Sequence, residues 1–183
     1  DGRFLKSIHI LFEWDQEADA VGYNFQISRN ESFDDIITDI NVPTTVHIEK
    51  DVLNWNNDYY WRVRSIYIND SFGPWIDQYM FSINPSALQD FDVNLYNEDL
   101  IQDGLVIFGQ FSPDLMVAVI DKFGNEIWSN GVLDSDHNLG TLLNYVSKQG
   151  QLFGKSSISA VQFNYNEDIL WQSPNNTVID LHE

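Results

Sequence analysis

The chain has 183 residues, 43% of them apolar and 14% aromatic, enough for one or two hydrophobic cores and too much for a disordered chain. Its formal charge of -19, with 14 acidic residues before position 87 and 14 after it, argues against nucleic-acid functions, since nucleic acid is held chiefly by Lys and Arg. With no Cys there is no disulfide, thiolate metal site or cysteine nucleophile, and no apolar run approaches the ~20 residues of a bilayer-spanning helix.

Strand-like sequence starts within a few residues of Asp1, so the start reads as processed or trimmed rather than as a signal peptide. From Ser7, Ile8, Ile10, Phe12 and Trp14 alternate with His9, Leu11, Glu13 and Asp15, the period of a strand with one buried face. The pattern resumes with Tyr23, Phe25 and Ile27 inward. Asp34 to Val42 and Thr44 to Ile48 supply two shorter strands parted by Pro43, which cannot donate to a ladder. In the stretch from Leu53 to Ser65, Tyr59, Trp61 and Val63 are expected inward, with Tyr60, Arg62 and Arg64 outward, where the arginines would meet surplus acid. Gly73-Pro74-Trp75 reads as a turn before a last strand ending near Ile83. Short strands at this spacing with no helical period predict an antiparallel sandwich.

These residues resemble a fibronectin type III domain over residues 7–83. The likeness lies in FEWDQ, a Tyr-x-Phe-Gln-Ile-Ser strand, YYWRVRS, GPW, and Leu53 six residues before Tyr59, the spacing of that fold's tyrosine corner. The resemblance implies a sandwich over residues 1–84 whose first strand is missing or ragged. It is nearly silent on function, because such modules space, support or bind. Tyr60, Trp55 and Trp75 are the candidates for carbohydrate contact, against the alternative that Trp75 and Trp55 pack on the sandwich edge.

Residues 85–183 form the second expected domain, reached through the short connector Pro85 to Asp90. Asp92 to Tyr96 alternates weakly, Asp103 to Gly109 reads as a strand entered from a turn, and Leu115 to Ile120 is an apolar run suited to a strand covered on both faces. AVIDKFGNEIWSNG, from Ala118 to Gly131, returns in degenerate form as VQFNYNEDILWQSP, from Val161 to Pro174. At an offset of 43 residues, Ile120 faces Phe163, Asp121 faces Asn164, and Trp128 faces Trp171. Each copy is a hairpin ending in Ile or Leu followed by Trp, with a matching Ile107-Phe-Gly109 or Leu152-Phe-Gly154 upstream. A period of about 40–45 residues is that of a four-stranded propeller blade. Gly124 is placed for a positive φ in the first turn. Glu167 stands there in the second, so that turn is expected to differ.

From Gly104 onward the chain resembles the front of a bacterial arylsulfotransferase-like β-propeller, through GLVIFG, the Ala-Val-Ile-Asp-x-x-Gly-Asn-Glu-Ile-Trp unit, GQLFG and the closing Asp180-Leu181-His182. The resemblance implies sulfuryl transfer from an aryl sulfate to a phenol through a histidine, with cations to offset the moving charge. It assigns His182, alone here, to the catalytic position. No arginine follows Arg64, and His137 is expected to be merely solvated. A four-bladed propeller takes roughly 160 residues. Only 96 residues follow Ala87, so one or two blades of an incomplete propeller are expected.

Asp134, Asp136 and Asn138 have the first spacings of a calcium loop, but Leu139 and Tyr145 occupy its glycine and closing acidic positions. The acidic pairs Asp34-Asp35, Glu98-Asp99 and Glu167-Asp168 are sequence neighbours, which strands send to opposite faces. Gly-x-Ser-x-Gly, phosphate-loop and His-Glu-x-x-His motifs are absent, and the sequence implies no cofactor. Asn30, Asn69 and Asn175 begin Asn-X-Ser/Thr sequons, acceptors only in a host that glycosylates them. The sequence thus predicts an all-β chain: a fibronectin type III-like sandwich joined to a partial β-propeller, extracellular or periplasmic. Its expected partners are the remainder of a longer polypeptide or neighbouring copies of itself. The function implied is that of a non-catalytic part of an arylsulfotransferase-like protein. The alternative is an extracellular structural or adhesive module assembled by strand pairing between subunits.

Overall fold

The computed structural model describes residues 3–88, 97, 99–110, 115–130, 141–156 and 159–174. Among them the chain is all-β, with no helix and four sheets, none closed. It divides into two compact units, Asp1–Pro85 and Ser86–Glu183.

The first unit contains β1 (Arg3–Leu5), β2 (Ile10–Glu13), β3 (Ala20–Ser28), β4 (Ile36–Val42), β5 (Val46–Glu49), β6 (Asn57–Tyr67) and β7 (Phe72–Ile83). β2 pairs with β5, and the order β1-β7-β6-β3-β4 makes the larger sheet. The alternation seen in the sequence sets which side chains lie between the two. Ile10 and Phe12 of β2 meet Tyr23, Phe25 and Ile27 of β3, Tyr59 and Val63 of β6, and Phe81 and Ile83 of β7. Trp14 and Trp61 are partly buried against this core, so the inward assignment of Trp61 holds. At the start of the chain β1 is short and runs parallel to β7, Phe4 opposite Ser82.

Gly73-Pro74-Trp75 lies within β7 rather than in a turn. The reversal comes earlier, where Tyr67 N donates to Ser71 O at 2.9 Å and Asp70 takes a φ of 60°. Arg64 stands opposite Trp75 and Ile66 opposite Phe72, so one residue of β6 faces two of β7. Pro74 occupies that bulge, one of the few sheet positions where its missing N–H breaks no ladder bond.

Behind the core, Tyr59 Oη accepts a hydrogen bond from the backbone N–H of Asn54 at 2.9 Å, which ties the loop after β5 to β6. Replacing Tyr59 by Phe leaves that N–H without its partner and should cost about 1–3 kcal/mol. Urea unfolding of the full chain reads this directly, and equal midpoints for variant and wild type would show that the bond adds nothing.

The Glu49 carboxylate is buried, accepting from Thr38 Oγ1 and Lys50 N at 2.9 Å and from Asp51 N at 3.0 Å, with His47 Nε2 at 3.5 Å. Burial alone would raise its pKa. The Asp51 N–H, Thr38, His47 and the Lys50 N–H outweigh it and hold the group below its ordinary value. A depressed folded pKa means that the unfolded chain takes up the proton first as pH falls. Glu49 therefore contributes stability above the usual carboxylate range and loses it as pH drops through the folded value. Unfolding midpoints measured from pH 7 down to about 3 should show a shallower acid loss in Glu49→Gln than in wild type.

The second unit contains β8 (Val106–Gln110), β9 (Met116–Ile120), β10 (Glu126–Ser129), β11 (Thr141–Val146), β12 (Leu152–Ser156), β13 (Ala160–Phe163) and β14 (Ile169–Gln172). They form two antiparallel sheets, β10-β9-β8 and β11-β12-β13-β14. β9 is buried at every position, as its unbroken apolar run requires of a central strand covered on both faces. β11 also packs against β8 and β9. The approach is close at Gly109, where a Cβ would stand 2.9 Å from Leu143 N.

Candidate functional site

The catalytic candidate His182, the calcium candidates Asp134, Asp136 and Asn138, and His137 all lie outside the described residues. So do the weak strand at 92–96 and the sequon at Asn175. Among the described residues no three His, Asp or Glu side chains are grouped as they would be around a metal ion. Nor does any helix there have the length and apolarity to cross a membrane. Two other constellations come together, one in each unit.

The first lies on the side of the larger sheet that faces away from β2 and β5. Pairing sets Arg62 beside Gln26 and Arg64 beside Asn24. Arg62 donates to Gln26 Oε1 through Nε at 3.0 Å and Nη2 at 2.8 Å, and Arg64 Nε donates to Asn24 Oδ1 at 3.0 Å. The two amides in turn donate to the carboxylate of Asp39 on β4, at 2.9 Å from Gln26 and 2.8 Å from Asn24. Against the expectation of ion pairs with surplus acid, the arginines reach this carboxylate only through neutral amides.

Their guanidiniums are stacked as well. Arg62 lies over Phe33 at 3.8 Å and Trp75 at 4.0 Å, and Arg64 over Phe72 at 3.9 Å and Trp75 at 4.2 Å. The sequence Phe33, Arg62, Trp75, Arg64, Phe72 is thus one ladder in which aromatic faces take up cationic planes. Burial lowers the pKa of Arg62, and the charge of Arg64 adds to that while Asp39 opposes it. Both guanidiniums already lie over Trp75, so a sugar stacking there would compete with them. Tyr60 and Trp55 are partly buried: Tyr60 is opposite Met80, and Trp55 packs against the core.

The second constellation is the repeated hairpin. In the first copy Asp121 N donates to Asn125 O at 3.0 Å and Gly124 N to Asp121 O at 3.1 Å; in the second, Asn164 N donates to Asp168 O at 3.2 Å and Glu167 N to Asn164 O at 2.9 Å. Gly124 has a φ of 90° and Glu167 one of 65°, so the second turn does not differ as expected. Glutamate accepts the left-handed conformation because side-chain bonds hold the loop: Asn164 Oδ1 accepts from Asn166 N and Asp168 N, as Asp121 Oδ1 does from Phe123 N and Asn125 N. The mouths match too. Val117 N donates to Asn130 Oδ1 at 2.6 Å, and 43 residues on Ala160 N donates to Ser173 Oγ at 3.0 Å.

The upstream match is less regular. Gly109 faces Val117, but Gly154 faces Val161 rather than Ala160, so the Ile-Phe-Gly and Leu-Phe-Gly fragments sit one residue out of step.

The two tryptophans part company. Trp128 is 5% exposed; its indole N–H donates to Tyr165 O at 2.9 Å and its ring meets the Tyr165 ring edge-on, so the second hairpin's loop covers the first hairpin's tryptophan. Trp171 is 46% exposed and stacks on Phe153 of its own sheet at 5.8 Å. Every residue of β10 is buried, and every residue of β14 is exposed. No family model, curated protein or solved structure matches the chain.

Proposed function

We propose that residues 1–84 are a fibronectin type III-like module and residues 85–183 the first one or two blades of an arylsulfotransferase-like β-propeller. On this reading the chain is the non-catalytic leading part of an exported protein. In the first unit the support is the pairing of β2 with β5 opposite a sheet ordered β7-β6-β3-β4, with a buried tyrosine bonded to upstream backbone, features that sandwiches of that kind share. The observation that carries the propeller half is the hairpin repeated at 43 residues with the same loop and mouth bonds. Sulfuryl transfer would belong to later blades, because this chain offers no arginine after Arg64 to offset the charge of a moving anion.

The test is the intact mass of the native polypeptide together with a transfer assay from an aryl sulfate to a phenol. The reading expects a polypeptide heavier than 21.2 kDa by at least two more units of about 40–45 residues, with transfer by that polypeptide and none by residues 1–183 alone. A native mass of 21.2 kDa would overturn it.

One observation favours a second reading, an extracellular structural or adhesive module completed by neighbouring subunits. β14 is an edge strand with all four residues exposed, and such edges invite pairing unless something covers them.

A further inference from the structure

The arginine ladder holds donors that no described residue uses. Arg62 gives Nε and one hydrogen of Nη2 to Gln26 Oε1, and Arg64 gives only Nε, to Asn24 Oδ1. Arg62 Nη1 and both Nη groups of Arg64 have no acceptor among the described residues. These donors open to solvent, because the only buried side-chain nitrogen or oxygen there without a partner is Trp14 Nε1. Neither guanidinium forms an ion pair among the described residues, in a chain where 28 Asp and Glu stand against nine Lys and Arg. Asp39, linked to both through amides, accepts from Asn24 and Gln26 rather than from the arginines. Two partly buried cations that oppose one another are thus fixed side by side with their outer edges unfilled. An anion at those edges would offset the cost of holding them there.

We propose that the free Nη edges of Arg62 and Arg64 bind an extended acidic peptide segment with carboxylates at alternate positions. Each guanidinium keeps a two-pronged edge, Nη1 with the second hydrogen of Nη2 in Arg62 and the two Nη groups in Arg64, and a carboxylate fits such an edge with both oxygens. Spacing selects the ligand. Arg62 and Arg64 are alternate residues of β6, about 7 Å apart along an extended strand, and carboxylates at i and i+2 of an extended peptide repeat that distance. Neighbouring carboxylates point to opposite faces of such a peptide and would fill one edge only. Stacking on Phe33, Trp75 and Phe72 and the bonds to Gln26 and Asn24 fix both edges in advance, so binding orders little that is not already ordered. With a formal charge of -19, the chain as a whole repels an acidic peptide, so binding reports this site rather than general attraction.

Fluorescence anisotropy with the 183-residue chain tests this with two labelled peptides of one composition, Glu alternating with Thr in the first and the Glu residues adjacent in the second. The alternating peptide should bind at least about tenfold more tightly. Arg62→Lys and Arg64→Lys keep the charge but lose the two-pronged edge, and each should remove that preference; circular dichroism with a thermal melt checks that both variants fold. A second measurement needs only wild type: in nitrogen-15 arginine-labelled chain, the Arg62 and Arg64 Nε–H signals should shift as the alternating peptide is added. Absence of binding at millimolar peptide, equal affinity for the two peptides, a preference that survives both lysine variants, or unmoved Arg62 and Arg64 signals would each overturn the proposal. Tighter binding of dextran sulfate at the same two signals would overturn it too, by making the site one for sulfate esters.

Discussion

Trp128→Ala is expected to destabilise the second unit by about 3–5 kcal/mol. Trp171→Ala, the same substitution at the same place in the repeat, should cost no more than about 1 kcal/mol in the monomer. The contrast follows from surroundings alone. Trp128 is buried, donates its N–H to Tyr165 O and packs edge-on against the Tyr165 ring, so truncation opens a cavity, removes a hydrogen bond and uncouples the two hairpins. Trp171 loses one stacked contact with Phe153 on a surface already wet. Urea unfolding of the full chain, followed by circular dichroism, compares the two variants. Equal losses would mean that the two tryptophans have equivalent environments.

Phe25→Ala should cost about 3–5 kcal/mol in the first unit. Phe25 is fully buried, and its ring meets Phe12 at 5.0 Å, Trp14 at 5.6 Å, Trp61 at 5.9 Å and His47 at 5.0 Å. These partners come from β2, β5 and β6 and their flanks, so the ring joins the two sheets, and neither can close the gap without moving its backbone. Trp14 lies nearly parallel to Phe25, at 13° between planes, and its fluorescence should shift in the folded variant. A folded Phe25→Ala chain with the wild-type midpoint would contradict this account of the core.

Much of the first unit could be read from the sequence because the core residues alternate along their strands, even in β3, where the intervening Asn24, Gln26 and Ser28 are buried too. Ile10 and Phe12, then Tyr23, Phe25 and Ile27, then Tyr59 and Val63 alternate in the chain and meet in the core. Gly73-Pro74-Trp75 misled for a physical reason: Gly and Pro usually mark turns, but a bulge in β7 accommodates both within a strand. Glu167 misled because left-handed backbone is unfavourable for glutamate, yet the Asn164 side chain fixes the loop from outside that residue. The arginine ladder joins residues from β3, β4, β6, β7 and the turn before β4, brought together by strand register. Two arginines spaced i, i+2 near Gly-Pro-Trp were the visible trace of it.

The second unit shows the limit of a repeat as evidence. Ile or Leu before Trp announces the same hairpin twice, and the same hairpin is present twice. What covers each copy depends on neighbours distant in sequence, so the burial of Trp128 and the exposure of Trp171 had no signature in either copy. Nor does that exposure bear on sulfuryl transfer, whose sequence candidate His182 lies outside the described residues.

The central claim is that a repeated hairpin is covered in its first copy and open in its second. Hydrogen exchange of the indole N–H groups in a dilute, nitrogen-15 tryptophan-labelled sample addresses it most directly, with the six indole signals assigned by single Trp→Phe variants. The account predicts slow exchange at Trp128, whose N–H is bonded to Tyr165 O, and fast exchange at Trp171. Equal exchange at the two indoles, both slow or both fast, would contradict it.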